Sequence, residues 1–185
     1  MPPADLGNGV TIFNVRSGVD SIWRTDGTPG GTVETLANRR YRSEPIPVND
    51  AWAIVPLQLN GGATEIYRFG KDATDSQLLA TIELNHRGPK FTVHGNVVLI
   101  DWSGHLLQTD GTVEGTVVEN ISLSSGIVED SDSNLNFFAH RKGATVWYQA
   151  PIGGGFFQKV RVLPGVASSL CYEDGTFLFL ISTDD

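Results

Sequence analysis

Few side chains in this sequence are of types that act on substrates, and their spacing limits what they could do. The four histidines, His86, His94, His105 and His140, are scattered. None forms the H-x-H or H-E-x-x-H pair that would bring two imidazoles to one zinc ion. Cys171 is the single cysteine, so neither an intrachain disulfide nor a cysteine-based metal site can form. Its neighbours Leu170 and Tyr172 suggest a small, half-buried strand residue. There is no G-x-S-x-G nucleophile elbow, and no base is evident for the thiol. Gly153-Gly154-Gly155 lacks the Lys-Ser/Thr and the helix of a phosphate loop. Asp130-Ser131-Asp132-Ser133-Asn134 begins like a calcium loop, but its sixth and twelfth positions hold Leu135 and Arg141 where an EF-hand needs Gly and Glu. A weak calcium site using Glu129, Asp130 and Asp132 survives beside the plainer reading of a solvated acidic loop. Arg39-Arg40-Tyr41-Arg42 is the one basic cluster. It could dock an acidic partner with Tyr41 stacking on it, or be a connection whose arginines pair with nearby carboxylates. These four are the candidate ligand-binding residues; no catalytic residue and no cofactor is indicated.

The composition bounds the elements that must position them. The chain has 185 residues, 13 basic and 21 acidic side chains and a net charge of −8. That length suits a single domain with a proper core. A pI near 4.9 argues against nucleic-acid binding, which needs clustered positive charge. With 18% charged and 40% hydrophobic residues the chain should fold, and 21 glycines and 9 prolines are too many for a helical protein. The longest apolar runs, Val97 to Ile100 and Phe177 to Ile181, are too short for a membrane-spanning helix. No basic-then-apolar leader precedes the first strand signal.

An internal repeat is the strongest signal. Thr25-Asp26-Gly27-Thr28-Pro29-Gly30-Gly31-Thr32-Val33 returns 84 residues later as Thr109-Asp110-Gly111-Thr112-Val113-Glu114-Gly115-Thr116-Val117. Half that distance predicts degenerate copies, and Ile66-Tyr67-Arg68 and Val146-Trp147-Tyr148 fall at the expected places. The residues Asp26, Gly27 and Thr28, like Asp110, Gly111 and Thr112, have the chemistry of a turn. Asp accepts a backbone N–H two residues on, and Gly takes positive φ. In the third copy Phe91–His94, Val97–Asp101, His105–Thr109 and Thr116–Ile121 alternate with turn residues, which predicts a four-stranded antiparallel meander. Pro56, inside the run Trp52 to Leu59, predicts a bulge or edge there. About 42 residues per four-stranded unit is the spacing of propeller blades. The expected fold is therefore an all-β propeller of about four such repeats with a partial fifth, in one domain spanning 1–185. The repeats fall near 9–42, 43–85, 90–122, 126–164 and 168–185. It could close as four blades, close as five, or be completed by another chain; closure within one chain is the simplest.

At the repeated turn the chain resembles the bacterial ELWxxDGT-repeat proteins. Ser21-Ile22-Trp23-Arg24-Thr25-Asp26-Gly27-Thr28 is the nearest match, with Ser21 in place of Glu. His105-Leu106-Leu107-Gln108-Thr109-Asp110-Gly111-Thr112 keeps the turn but has Leu107 in the Trp position. Glu65-Ile66-Tyr67-Arg68 keeps the Glu without the Asp-Gly-Thr, and Val146-Trp147 keeps only the Trp. The resemblance implies a propeller-like fold and a secreted or cell-surface setting, and it carries no catalytic residues.

Two functional classes follow. One is a non-enzymatic binding or scaffold module presenting loops to a protein or glycan. The other is a polysaccharide-active hydrolase or lyase, which would need convergent carboxylates in a cleft. A structural spacer that assembles with other repeats is a third possibility. Trp23 and Trp147 share one strand position and are expected to pack between repeats; sugar stacking is the alternative. Neither nucleic acid nor membrane insertion is expected, whereas open strand edges would favour self-association.

Overall fold

A computed structural model describes residues 3–6, 9–59, 62–83, 89–102, 104–124, 127–141, 144–151, 156–163 and 165–182. Among them there is no helix; the chain is all-β and every strand pairing is antiparallel. The molecule divides into two compact units, Met1–Gly88 with Gly111–Thr116, and Pro89–Asp110 with Val117–Asp185.

The first unit holds two sheets. In the first, β1 (Ala4–Asp5), β2 (Thr11–Arg16), β3 (Asp20–Thr25) and β4 (Val33–Ala37) lie in sequence order. In the second, β5 (Arg39–Tyr41) and β6 (Ile46–Pro47) both pair with β7 (Trp52–Leu59), which is followed by β8 (Thr64–Gly70) and β9 (Ser76–Ile82). Residues Trp52 to Leu57 are buried without a break because both faces of β7 are covered, so this strand reads as a continuous apolar run. Ile12, Ile22, Val55, Leu57 and Phe69 make the core of the unit. Pro56 lies in the interior of the sheet. Its partners on one side are divided: β5 pairs with residues 57–59 and β6 with residues 53–54. A residue without an N–H is accommodated at that break, where its carbonyl accepts the Arg42 N–H at 3.0 Å.

In the second unit β10 (Lys90–His94), β11 (Val97–Trp102), β12 (His105–Thr109) and β13 (Val117–Glu119) form a four-stranded meander, close to the strands expected for the third repeat. The next sheet comprises β14 (Ser122–Leu123), β15 (Val128–Glu129), β16 (Asn134–Arg141), β17 (Ala144–Pro151) and β18 (Gln158–Leu163); β14 and β15 both pair with β16. The last sheet has two strands, β19 (Val166–Glu173) and β20 (Thr176–Ser182). Asp174 and Gly175 join them with φ of 48° and 79°, the signs required by the hairpin turn that matches strand twist. Phe137 stacks on Tyr148 and meets Phe157 edge-on, while Phe138 meets Trp147 and Phe179 edge-on.

The repeated motif is a hydrogen-bond pattern. The Asp26 carboxylate accepts from the Thr28 N–H at 2.9 Å and from its hydroxyl at 2.7 Å, while Gly27 takes φ 88°. The Gly31 N–H then donates to Thr28 Oγ1 at 3.0 Å, and the Thr32 hydroxyl to the Thr28 carbonyl at 2.8 Å. The second copy repeats the closing half: Gly115 N–H donates to Thr112 Oγ1 at 2.8 Å, Thr116 Oγ1 to the Thr112 carbonyl at 2.5 Å, and Gly111 has φ 89°. Between them lies a copy with altered spelling. Asp72 accepts from the Thr74 N–H at 3.1 Å and hydroxyl at 2.6 Å, and Ala73 occupies the glycine position at φ 53°.

The second glycine of the motif has a steric cause. A Cβ on Gly31 would stand 1.9 Å from Asp26 Oδ1, whereas one on Gly30 meets nothing within 4 Å. Gly31→Ala must expel the Asp26 carboxylate from its hydrogen bonds to Thr28 and is expected to lower the urea midpoint below that of wild type. Gly30→Ala should stay within about 0.5 kcal/mol of wild type in urea unfolding. Equal midpoints for the two variants would refute the steric account.

Candidate functional site

The first unit carries an open concavity of about 580 Å³ lined by Asn14, Arg16, Arg40, Tyr41, Arg42 and Gln58. Three of these come from the basic cluster. Asn14 and Arg16 come from β2, and Gln58 from β7, where it pairs opposite Arg40 in the ladder. Arg40 donates from Nε and Nη2 to Gln58 Oε1 at 3.2 and 3.0 Å, which fixes the plane of its guanidinium. Arg16 makes a loose surface pair with Asp20 at 3.6 Å. Tyr41 is buried, 8% exposed, and its hydroxyl has no hydrogen-bond partner; burial pushes its phenol pKa up. Asn14 Oδ1 is likewise buried without a partner. Among the described residues that line the concavity there is no carboxylate, histidine, serine or cysteine, and those present are groups that bind anions and hydroxyls.

Arg39 is the member of the cluster that turns elsewhere. Its Nε and Nη2 donate to Glu65 Oε2 and Oε1 at 2.5 and 3.2 Å, and its guanidinium lies 5.6 Å from the centre of the Tyr67 ring. The hydrogen bond to Glu65 raises the Arg39 pKa. Between docking a partner and pairing with a carboxylate, Arg39 does the second, while Arg40, Tyr41 and Arg42 line the concavity. Asn14, Arg16 and Gln58 were not among the sequence candidates. The available signal was Asn14, which follows the buried Ile12 by two residues and so lies on the same face of β2.

The acidic loop is a hydrogen-bonding hub. Asp130 accepts from the backbone N–H groups of Asp132 and Asn134 and from the side-chain amides of Asn134, Asn136 and Gln149. Donors thus surround the carboxylate named for a weak calcium site. Among the described residues no three His, Cys, Asp or Glu side chains converge in a metal-binding group. His94 lies 3.4 Å from Glu129, and His140 Nδ1 is 3.3 Å from Thr145 Oγ1. His105 Nδ1 is buried without a partner. His86 and Gly153-Gly154-Gly155 fall outside the described residues. Cys171 does lie in a strand, but it is exposed, because it sits on the open side of the two-stranded sheet with Leu178 and Leu180.

Carboxylates in the turns predict acid sensitivity. Hydrogen bonds from Thr28 and Thr74 lower the pKa values of Asp26 and Asp72. Burial pushes Asp130 up, but the amide donors outweigh it and the net direction is also down. A depressed folded-state pKa stabilises the fold above the unfolded value, and that contribution is lost as pH falls through the folded one. Burial raises Asp101, which works in the opposite sense. The melting temperature is expected to fall steadily below about pH 4. Asp72→Asn should flatten that fall, and an unchanged profile in the variant would contradict the assignment.

The class defined by fold and site is an all-β protein of antiparallel sheets with a cationic concavity. No family model and no curated protein matches the chain. Solved structures similar to it include a prolyl endopeptidase studied for inter-domain dynamics, at 12% identity and a TM-score of 0.46, covering 90% of this chain and 28% of that one. Two mutant forms of prolyl oligopeptidase B from Galerina marginata, bound to a 35mer substrate, match at 10% identity and TM-scores of 0.39 and 0.40. They cover 94% and 97% of this chain and 29% and 30% of theirs. The chain therefore spans less than a third of the length of these peptidases.

Proposed function

We propose that this chain is a non-enzymatic binding or scaffold module in which the sheets are β-propeller blades, four with the first two strands of a fifth, as in the ELWxxDGT-repeat proteins it resembles. The blade reading is supported by the recurrence of one strand order and one Asp-x-Thr turn, including the copy at Asp72-Ala73-Thr74. The observation that carries the binding reading is the concavity. Three of the residues that line it are arginines, Arg16, Arg40 and Arg42, in a chain of net charge −8. Like charges at close quarters repel, and a ligand of opposite charge relieves that repulsion. The partner is a protein or a glycan that presents negative charge.

Capture from a panel of glycans and proteins on the immobilised full chain tests this reading. Wild type should retain a ligand that the Arg40→Ala/Arg42→Ala double variant releases. Equal capture by both would overturn it, and cleavage of a captured glycan would favour an enzyme.

A further inference from the structure

We propose that the concavity receives an acidic sugar, a hexuronate residue of a glycan, with its carboxylate on Arg42 and Arg40 and its adjacent hydroxyls on Asn14, Gln58 and Tyr41. This rests on the binding-module reading and adds the ligand class to it.

Arg42 is the first reason. Among the described arginines of the first unit, Arg16, Arg24, Arg39, Arg40 and Arg68 each have a side-chain partner. Arg42 is half-buried and has none. A guanidinium held partly out of water with its donors unused is matched by a planar carboxylate, which takes two parallel N–H bonds. Arg40 is already oriented by Gln58 and keeps Nη1 for the same anion.

The second reason is the pair of unpartnered polar atoms, the Tyr41 hydroxyl and Asn14 Oδ1. Buried polar atoms are normally hydrogen-bonded, and exceptions at a cleft point to a missing partner. A bare anion could accept from the phenol but could offer nothing to the Asn14 oxygen. A sugar acid carries a carboxylate and hydroxyl donors on neighbouring carbons, so it satisfies both. The volume of about 580 Å³ is that of a small-ligand cleft. An acidic peptide is the weaker match, because protein interfaces are anchored by exposed apolar or aromatic side chains, and among the described residues no exposed large apolar one lines this cleft.

Calorimetric titration of the full chain with tetragalacturonate, its methyl ester and tetraglutamate tests the proposal. The free acid should bind, and the ester and tetraglutamate should bind about tenfold or more weakly. Arg42→Met should weaken the acid by a similar factor, and Tyr41→Phe by less, with melting temperatures confirming that both variants fold. Equal binding of acid and ester, or tighter binding of tetraglutamate, would overturn the sugar-acid assignment while leaving a binding module in place. Silence toward every probe, together with indistinguishable capture by wild type and Arg40→Ala/Arg42→Ala, would overturn both.

Discussion

Arg39→Met is expected to lower the unfolding free energy by about 3–5 kcal/mol, the range for stranding one half of a buried ion pair. Glu65 pairs opposite Leu57 inside the sheet, and its side chain is 7% exposed. Without the guanidinium, its carboxylate would sit in a poorly hydrated site with no counter-charge. Arg39 also donates to the Ala37 carbonyl at 2.9 Å, so it ties the end of β4 to β8. The loss comes from the stranded charge more than from a favourable pair, and this has a signature. The Arg39→Met/Glu65→Leu double variant should regain most of the stability, since apolar residues of similar volume replace such pairs at little cost. Urea unfolding of the two variants decides it. A single variant within about 1 kcal/mol of wild type, or a double variant no better than the single, would show that Glu65 is solvated.

Phe138→Ala is the second large effect, at about 3–5 kcal/mol for a fully buried phenylalanine. Phe138 is 0% exposed and lies 6.4 Å from the Trp147 ring and 5.1 Å from that of Phe179. Phe179 and Phe177 attach the β19–β20 hairpin to the sheet beside it, and a two-stranded sheet is marginal without such packing. The variant should therefore lose the hairpin first. Hydrogen exchange at Leu178 to Ile181 should accelerate well before exchange in β7 or β11. Uniform acceleration across the chain would show that the hairpin is no separate unit.

The all-β class and the third meander were legible in the residues, because glycine-punctuated, β-branched runs leave few alternatives. The repeat was legible where the turn kept Asp-Gly-Thr and hidden where it did not. Asp72-Ala73-Thr74 makes the same carboxylate-to-threonine bonds, but its loop, residues 71–75, is shorter than the 26–32 loop of the first copy, and an alanine takes the positive φ. Periodicity within a strand cannot reveal that substitution. At the site, the sequence offered four consecutive residues and the fold divided them. Arg39 was drawn away by Glu65, which is 26 residues distant. Asn14, Arg16 and Gln58 joined from other strands, through pairings that no local pattern specifies. Cys171 was expected to be half-buried because it has apolar neighbours; the exposed side of β19 shows that neighbours in sequence do not determine which face is covered.

The two-stranded sheet also governs how the protein behaves as a solute. Strand β20 reads Thr-Phe-Leu-Phe-Leu-Ile-Ser, without a charge or a proline, and exposes Leu178, Leu180 and Ile181 at 50%, 68% and 40%. Edge strands usually carry lysines or prolines that keep other copies away. Here the net charge of −8 must do that at a distance, and it vanishes near pH 4.9. Molecules meeting at that pH have no long-range repulsion left, and β20, whose strand partner among the described residues is β19, is where contacts between copies are expected first, read as turbidity rising toward pH 4.9.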